Sequence, residues 1–269
     1  MNTNKNNGIL KRSVKSDGIL RLTLSNPKNH NALSEEMMLN IQSELDDSIG
    51  NNQIRIIIIS AEGPTFSAGH DLKELTRGRQ NPDKGRKYFE MIMKKCSKLM
   101  QSIVNNPKPV IAEVAGTATA AGCQLVASCD LAYAGKSARF ATPGVNIGLF
   151  CSTPMVAVSR NISNKHSMEM LLTGDLITSK KAVEIGLINE MVDDDLLQDL
   201  VITKALKISK KSAMTLKIGK EAFYKQIDMT LSEAYDYASN IMVENMLKLD
   251  AEEGIDAFIN KRSPNWQDK

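Results

Sequence analysis

A run of small residues in the middle of the chain constrains the fold more than any other feature. It follows Val110–Val114, an apolar run with the length and composition of a buried strand. Residues 117–123 are all small, and residues 124–128 then have the pattern of a short helix. Small residues let a ligand approach the main chain. The free N–H groups at a helix start favour an oxygen that carries negative charge. The segment therefore predicts an oxyanion site near the amides of Ala121 and Gly122.

An earlier part of the chain repeats the order of strand, small-residue loop and helix. Residues 54–59 are apolar on both faces, which predicts a deeply buried strand, and the loop 63–73 follows. Each of the two loops could contribute one main-chain N–H to a shared oxygen. Either loop taken alone is better explained as a tight turn, because glycine and alanine also allow tight turns.

The pattern of elements changes after about residue 150. The first part mixes strands with helices, which are predicted at about 34–49 and 88–104. The later part is predicted to be helical, and this division indicates a core with a helical appendage that packs on the core or on a neighbouring subunit. The predicted helices of the later part are 153–160, 164–172, 178–185, 194–209, 212–225, 230–248 and 250–260.

Composition excludes several classes of protein. The net charge is +3 without a block of like charges, which argues against a nucleic-acid partner. The four cysteines have no CxxC spacing, so neither a metal site nor a disulfide framework is expected, and a reducing compartment fits. No apolar run approaches the roughly 20 residues of a membrane span. Residues 1–10 are polar at their start and lack the apolar core of a signal peptide, so we expect them to be disordered in a cytoplasmic protein.

Several motifs together resemble one family, the crotonase superfamily of enoyl-CoA hydratases and isomerases. The similarity extends from Asn26 to Arg262 and implies an α/β fold. Specifically, it implies a crotonase-like spiral of ββα turns over residues 11–200 and a C-terminal helical region for trimerisation over residues 201–269. The oligomer implied is a homotrimer or a hexamer. The motifs are FSAGHDLKEL at 66–75, KPVIA at 108–112, GCQL at 122–125, CD at 129–130 and LTGD at 172–175.

The same resemblance implies an acyl-CoA or enoyl-CoA thioester as the ligand. Coenzyme A is then part of the substrate, and no separate cofactor and no metal are expected. The family's two main-chain donors to the thioester oxygen map onto His70 and Ala121, while Phe258 and Lys261 match positions that reach the coenzyme A of a neighbouring subunit. The implied substrate-binding positions are Lys28, Ala68, His70, Asp71, Leu72, Lys73, Ala121, Phe258 and Lys261.

The chain departs from the family at the two positions that move protons. Family hydratases carry glutamates where this chain has Gln124 and Gly144. Glutamine cannot take a proton at neutral pH, and glycine has no side chain. Positioned acid–base groups contribute roughly 10²–10⁴ each in rate. We therefore expect ligand binding and oxyanion stabilisation to remain, with little ordinary hydratase activity.

Other residues could substitute for the missing glutamates. The His70 imidazole is the best candidate, although we expect its ring to satisfy a main-chain group instead. An anion bound in the gap at Gly144 is a further alternative. Packing or helix capping is expected of Cys151 and Ser152, and a paired structural carboxylate is expected of Glu113. Asp130 matches a family position that is usually structural.

Two functions remain open at this point. The first is an enzyme of fatty-acid metabolism that polarises an acyl-CoA thioester and catalyses slow hydration, double-bond migration or thioester hydrolysis. The second is a catalytically inactive protein that binds acyl-CoA or has a regulatory role. Gln124 and Gly144 favour the second function, and the two small-residue loops fit both.

Overall fold

The structure is a computed structural model that describes residues 3–15 and 17–269. The strands are β1 Thr3–Asn7, β2 Leu10–Val14, β3 Ile19–Leu24, β4 Ile56–Ala61, β5 Thr65–Ser67, β6 Val110–Val114, β7 Thr117–Thr119, β8 Leu131–Gly135, β9 Arg139–Ala141, β10 Ile177–Thr178 and β11 Glu190–Val192. The helices are α1 Glu35–Ile49, α2 Leu72–Gly78, α3 Arg86–Asn105, α4 Ala121–Ser128, α5 Pro154–Asn161, α6 Asn164–Thr173, α7 Ser179–Glu184, α8 Leu197–Ser209, α9 Ala213–Gln226, α10 Leu231–Met246 and α11 Leu249–Ile259.

Two sheets form the core. The larger has seven strands in the order β1-β2-β3-β4-β6-β8-β11, and it is antiparallel from β1 to β3 and parallel from β3 onward. The smaller has four strands in the order β10-β9-β7-β5, of which β5, β7 and β9 are parallel. Each parallel connection requires the chain to cross over and start again from the same edge. The carboxyl ends of successive parallel strands therefore lie at the same edge of each sheet.

The central strands of the large sheet are covered on both faces. In β4, Ile57 and Ile59 pack into the main core with α1, α3 and α4, whereas Ile56 and Ile58 face α8 on the other side. This alternation explains why positions 56–59 are all isoleucine, as a strand buried on both faces requires. The charged residue Arg55 lies just before the strand begins.

The helices of the later part were predicted well. Each of the seven predicted segments corresponds to one of the helices α5 to α11, with bounds that differ by a few residues at most. The capping residues account for this agreement, since Ser163, Thr178 and Ser212 each accept a hydrogen bond from a main-chain N–H three residues later. However, the strands β10 and β11 interrupt a region in which only helices were predicted.

The N-terminal segment differs from the sequence-based expectation. Disorder was expected for residues 1–10, but Thr3–Asn7 pair with Leu10–Val14 in an antiparallel hairpin at the edge of the large sheet. Met1 and Asn2 lie outside the described residues. An edge strand is held by main-chain hydrogen bonds, which do not depend on apolar side chains, so polarity alone misled the prediction.

Helix α9 is fastened to the core by a buried ion pair. Lys220 Nζ donates to Asp130 Oδ2 at 2.7 Å and also to the carbonyl oxygens of Ile103 and Lys108. Tyr224 Oη donates to the other carboxylate oxygen of Asp130 at 3.0 Å. Asp130 is therefore structural, as expected. Helices α10 and α11 instead leave large apolar side chains exposed, including Leu231, Tyr235, Met242, Phe258 and Ile259.

Candidate functional site

The small sheet brings the two small-residue loops together. Strands β5 and β7 are parallel neighbours, with Thr65 opposite Thr117 and Ser67 opposite Ala118. Both loops leave the carboxyl ends of these strands, at Ala68 and Ala120, so they emerge side by side at one edge of the sheet. The structure thus places the two predicted loops next to each other, although Ala68 and Ala120 are 52 positions apart in the sequence.

Two glycines permit the close approach of the loops. Gly69 has a φ of +87°, and a Cβ atom there would lie 2.9 Å from the amide nitrogen of Ala121. A Cβ atom on Gly122 would lie 2.2 Å from the carbonyl oxygen of Ser67. Any larger residue at either position would push the start of α4 away from the first loop.

The directions of the two predicted amides follow from the hydrogen bonds of their peptide planes. The carbonyl oxygen of Gly69 accepts from Leu33 N at 2.7 Å, and that of Ala120 accepts from Gln124 N at 3.0 Å. In a trans peptide the N–H group points opposite to the carbonyl group. The N–H groups of His70 and Ala121 therefore point away from these partners, and neither has an acceptor within residues 3–15 and 17–269. Such free donors are available to an oxygen of a ligand.

Ala120 has a backbone conformation that is rare for a residue with a side chain. Its φ is +50° and its ψ is −120° at the N-terminal end of α4. Its own N–H donates to Ala141 O at 3.0 Å, which holds the turn in place. Strained residues of this kind persist where the surrounding structure fixes them, and they are common at functional sites.

The His70 ring lies close enough to the main chain of Leu33 for that group to affect its pKa, but it forms no hydrogen bond of ordinary geometry with the described residues. Its two nitrogens are buried and have no hydrogen-bond partner in the described part of the chain. Burial lowers the pKa of His70, an effect that the main chain of Leu33 opposes in part. The ring is consequently neutral at pH 7, so it could accept a proton but is not a cation that would attract the thioester oxygen.

A thiol occupies the space next to Gly144. A Cβ atom at this position would lie 2.9 Å from Cys151 Sγ and 3.0 Å from Leu149 O, and Gly144 N donates to the same sulfur at 3.3 Å. Burial raises the pKa of Cys151, so the group is a protonated thiol that cannot act as a base. Cys151 therefore has a packing role, which is one of the two roles expected of it. Its sulfur fills the place where the side chain of a family glutamate would begin.

The other proton-transfer position is equally unsuited to a base. Gln124 is 4% exposed within α4, and its Oε1 lies 3.9 Å from Cys96 Sγ. Burial raises the pKa of Cys96 to about 12, so this neighbour is also a neutral thiol. Neither Gln124 nor the groups beside it can take a proton from water.

The remaining predicted residues fall into three groups. Lys28, Ala68, Leu72 and Lys73 are exposed around the first loop. The carboxylate of Asp71 caps α2 by accepting from Lys73 N and Glu74 N at 2.8 and 3.2 Å, so its observed role is structural. Phe258 is 86% exposed and Lys261 is also exposed at the end of α11. Their expected contact with the ligand of a neighbouring subunit stays a prediction.

Glu113 forms the structural pair that was expected. Its carboxylate receives two hydrogen bonds from the Arg21 guanidinium, at 2.6 and 2.9 Å. A bidentate pair of this kind occupies the carboxylate oxygens and holds them in one orientation. Glu113 is thereby excluded as a substitute base.

Among the described residues, features that would suggest another kind of site are missing or lie away from the predicted site residues. A surface cavity of about 480 Å³ lies between α1 and α3 and contains none of the predicted site residues. Over the described residues, no three His, Cys, Asp or Glu side chains are grouped so that they could hold a metal ion. Within the same residues, no helix combines the length and apolar character needed to cross a membrane.

The family is decided by a direct match of the sequence. The family model for enoyl-CoA hydratase/isomerase matches residues 14–269. The chain belongs to the enoyl-CoA hydratase/isomerase family. This family membership confirms the resemblance drawn from the motifs.

Individual members of the family are similar over nearly the whole chain. The human mitochondrial enoyl-CoA hydratase domain-containing protein 3 is 48% identical over 250 residues, which are 93% of this chain and 81% of that protein. A crystal structure of the human protein matches with a TM-score of 0.90 at 45% identity, covering 98% of this chain and 99% of that one. The enoyl-CoA hydratase of Mycobacterium smegmatis matches with a TM-score of 0.92 at 42% identity, covering 96% of this chain and 98% of that one. The crotonase-like fold is thus confirmed, whereas the trimer stays a prediction.

The predicted cytoplasmic location is wrong. The human relative is named a mitochondrial protein, which contradicts the expectation. The prediction used the four cysteines, all of which are free and buried. Reduced cysteines distinguish reducing from oxidising compartments but do not distinguish one reducing compartment from another.

Two features of the site were missed by the sequence analysis. One is the contact of Cys151 with Gly144, and the other is the bracing of the first loop by residues 30–33. The turn-rich sequence around Asn31 carried a signal for the second, because asparagine tolerates the left-handed backbone and bonds to nearby main-chain groups. No local pattern indicates the first, because it joins residues across a turn of irregular shape.

Proposed function

We propose that this protein binds an acyl-CoA thioester and stabilises negative charge on the thioester oxygen with the N–H groups of His70 and Ala121. The observation that carries the proposal is the pair of free amides, each fixed through the hydrogen-bonded carbonyl of its own peptide plane. The family membership supports the ligand class. A role in fatty-acid metabolism follows from that ligand class and forms part of the proposal.

The surroundings of the two amides suit a long anionic ligand. The segment from Ala68 to Lys73, in which Ala68, Leu72 and Lys73 are exposed, would lie along the coenzyme A. Lys28 and Lys73 would supply cations for its phosphate groups. The exposed apolar side chains of α10 and α11 are those expected of a surface that packs in a trimer. In such a trimer, Phe258 and Lys261 would reach the ligand of the neighbouring subunit.

The chemistry that the site supports is enolate stabilisation without an acid–base pair. Each fixed N–H donor contributes roughly 10²–10³ in rate when charge develops on the bound oxygen. Gln124, Gly144 and Cys151 cannot abstract a proton, for the reasons given above. We therefore expect slow hydration at most, and the neutral His70 ring could assist another enolate reaction.

A second candidate function is a catalytically inactive acyl-CoA-binding or regulatory protein. The observation that favours it is the occupation of the space beside Gly144 by Cys151 Sγ, which leaves no room for a side chain there. Both candidates require the same ligand and the same pair of amides, and they differ in whether the bound thioester reacts.

The two candidates can be separated with purified protein. Crotonyl-CoA and longer enoyl-CoAs would be added, loss of the conjugated thioester absorbance followed, and the affinity for saturated acyl-CoA measured by calorimetry. Turnover that His70→Ala abolishes and His166→Ala retains would support an enzyme with imidazole chemistry. Tight binding without turnover would support the binding protein. Failure of the wild-type protein to bind any acyl-CoA would contradict both.

A further inference from the structure

Asn31 is a buried side chain whose hydrogen bonds are all made within the chain. It is 0% exposed and has a φ of +48°, a left-handed conformation that asparagine tolerates. Its Nδ2 donates to Glu62 O at 2.8 Å and to Thr65 O at 2.7 Å, and its Oδ1 accepts from Asn26 N at 2.7 Å. The two carbonyl partners and the single N–H partner fix the orientation of the amide without ambiguity.

The residues on either side of Asn31 hold the first loop of the site. His30 O accepts from Ala68 N at 3.0 Å, and Leu33 N donates to Gly69 O at 2.7 Å. The second of these bonds is the one that sets the peptide plane between Gly69 and His70. Asn31 lies between the two bonds and ties their segment to the end of β4 and the start of β5.

We propose that Asn31 is a positioning residue that fixes the direction of the His70 N–H through Leu33 and Gly69. It does not touch the ligand. Without its three hydrogen bonds, residues 30–33 are free to move relative to β5, and the Gly69 carbonyl loses its fixed partner. The Gly69–His70 peptide can then rotate, so the donor no longer points at the thioester oxygen. This inference rests on the proposed function.

Another asparagine provides a matched control. Asn106 is 2% exposed, and its Nδ2 donates to Leu45 O at 3.2 Å and to Ser48 Oγ at 3.1 Å. Its Oδ1 accepts from Lys108 N at 2.9 Å. It thus makes the same number of hydrogen bonds at the same depth, but it joins the end of α1 to the segment before β6. Its loss should lower stability without changing the His70 peptide.

Two substitutions test Asn31, and one tests the control. Asn31→Gly removes all three side-chain bonds and keeps the left-handed backbone free of strain. Asn31→Asp keeps the acceptor for Asn26 N but places an oxygen against the carbonyls of Glu62 and Thr65, so it carries the test if Asn31→Gly does not fold. Asn106→Ala is the control. Folded fractions are compared by thermal melting before any binding measurement.

The probes separate recognition of the carbonyl from recognition of the rest of the ligand. Butyryl-CoA presents a thioester carbonyl, whereas S-butyl-CoA is a thioether of similar shape without that oxygen. Calorimetry gives the ratio of their dissociation constants, and difference infrared spectroscopy gives the carbonyl stretching frequency of bound butyryl-CoA. Hydrogen bonds from fixed donors lower that frequency.

We expect the Asn31 substitutions to reduce the preference for butyryl-CoA over S-butyl-CoA about tenfold, which is the effect of losing one hydrogen bond. The affinity for S-butyl-CoA itself should change little. The carbonyl frequency should move toward its value in water. Asn106→Ala should retain both the preference and the frequency of the wild-type protein. Unchanged preference and frequency in folded Asn31 variants would overturn the role of Asn31. Equal affinity of the wild-type protein for the two ligands would instead overturn the proposed function.

Discussion

The conformations of single residues decide where the two amides of the site lie. Gly69 and Ala120 both have positive φ, and the contact of Gly69 with Ala121 N leaves no space for a Cβ atom. The sequence indicated that small residues would be needed here, since it places them in both loops. It could not indicate that the Leu33 N–H would fix the Gly69 carbonyl, because that bond joins residues that are 36 positions apart.

The His70 ring makes stability depend on pH in a defined direction. Its pKa in the folded protein is lowered from 6.5, mainly by burial. As the pH falls through the ordinary value, the unfolded chain binds a proton before the folded protein does, so the free energy of unfolding decreases. We expect urea unfolding of the wild-type protein to show this loss below about pH 6.5. His70→Gln should reduce the loss and His166→Gln should not; equal slopes for all three proteins would contradict the assignment.

Gly144 and Cys151 should be coupled in their effects on stability. Gly144→Ala places a methyl group 2.9 Å from Cys151 Sγ, and overpacking of this kind costs about 1–3 kcal/mol. In a Cys151→Ala background the sulfur is absent, so the same substitution should cost less. A double-mutant cycle measured by urea unfolding checks the coupling. Additive costs would mean that the thiol does not fill this space.

The same contact bears on any attempt to restore hydratase activity. A glutamate at position 144 would have to displace the Cys151 sulfur and also press on Leu149 O, which is 3.0 Å from the Cβ position. We therefore expect that replacement of both Gln124 and Gly144 by glutamate would not be sufficient. Removal of the Cys151 sulfur has to accompany it.

At the scale of elements, helices were predicted more accurately than strands. Long helices such as α3 and α10 have a periodic apolar face and recognisable ends, and both extend over many turns. Strands such as β9, β10 and β11 have three residues or fewer, so they carry no periodicity that could be read. The register of β5 against β7, which brings the two loops together, likewise depends on tertiary structure.

The attachment of α9 to the core depends on Lys220. The substitution Lys220→Met removes the ammonium group and leaves the carboxylate of Asp130 buried without its ion-pair partner. We expect the free energy of unfolding to fall by about 3–5 kcal/mol. Lys217→Met on the exposed side of the same helix is the matched control and should change stability by less than about 0.5 kcal/mol. Equal effects of the two substitutions in urea unfolding would show that the Lys220 ion pair does not hold α9.

At the scale of the whole molecule, the motifs were sufficient for the fold because they are spread over most of the chain. The family match confirms what they indicated, from the loop at 66–75 to the last helix. The motifs were not sufficient to predict the cellular location or to establish the oligomeric state. The cytoplasmic prediction was wrong. The trimer stays a prediction that rests on the family resemblance, and the exposed apolar side chains of α10 and α11 agree with it.

The central claim is that two main-chain donors from separate loops bind one thioester oxygen. A crystal structure of the protein with bound butyryl-CoA tests this claim most directly. We expect the thioester oxygen to lie within about 2.7–3.1 Å of both His70 N and Ala121 N. An acyl-CoA bound with its carbonyl oxygen away from these two amides would contradict the account.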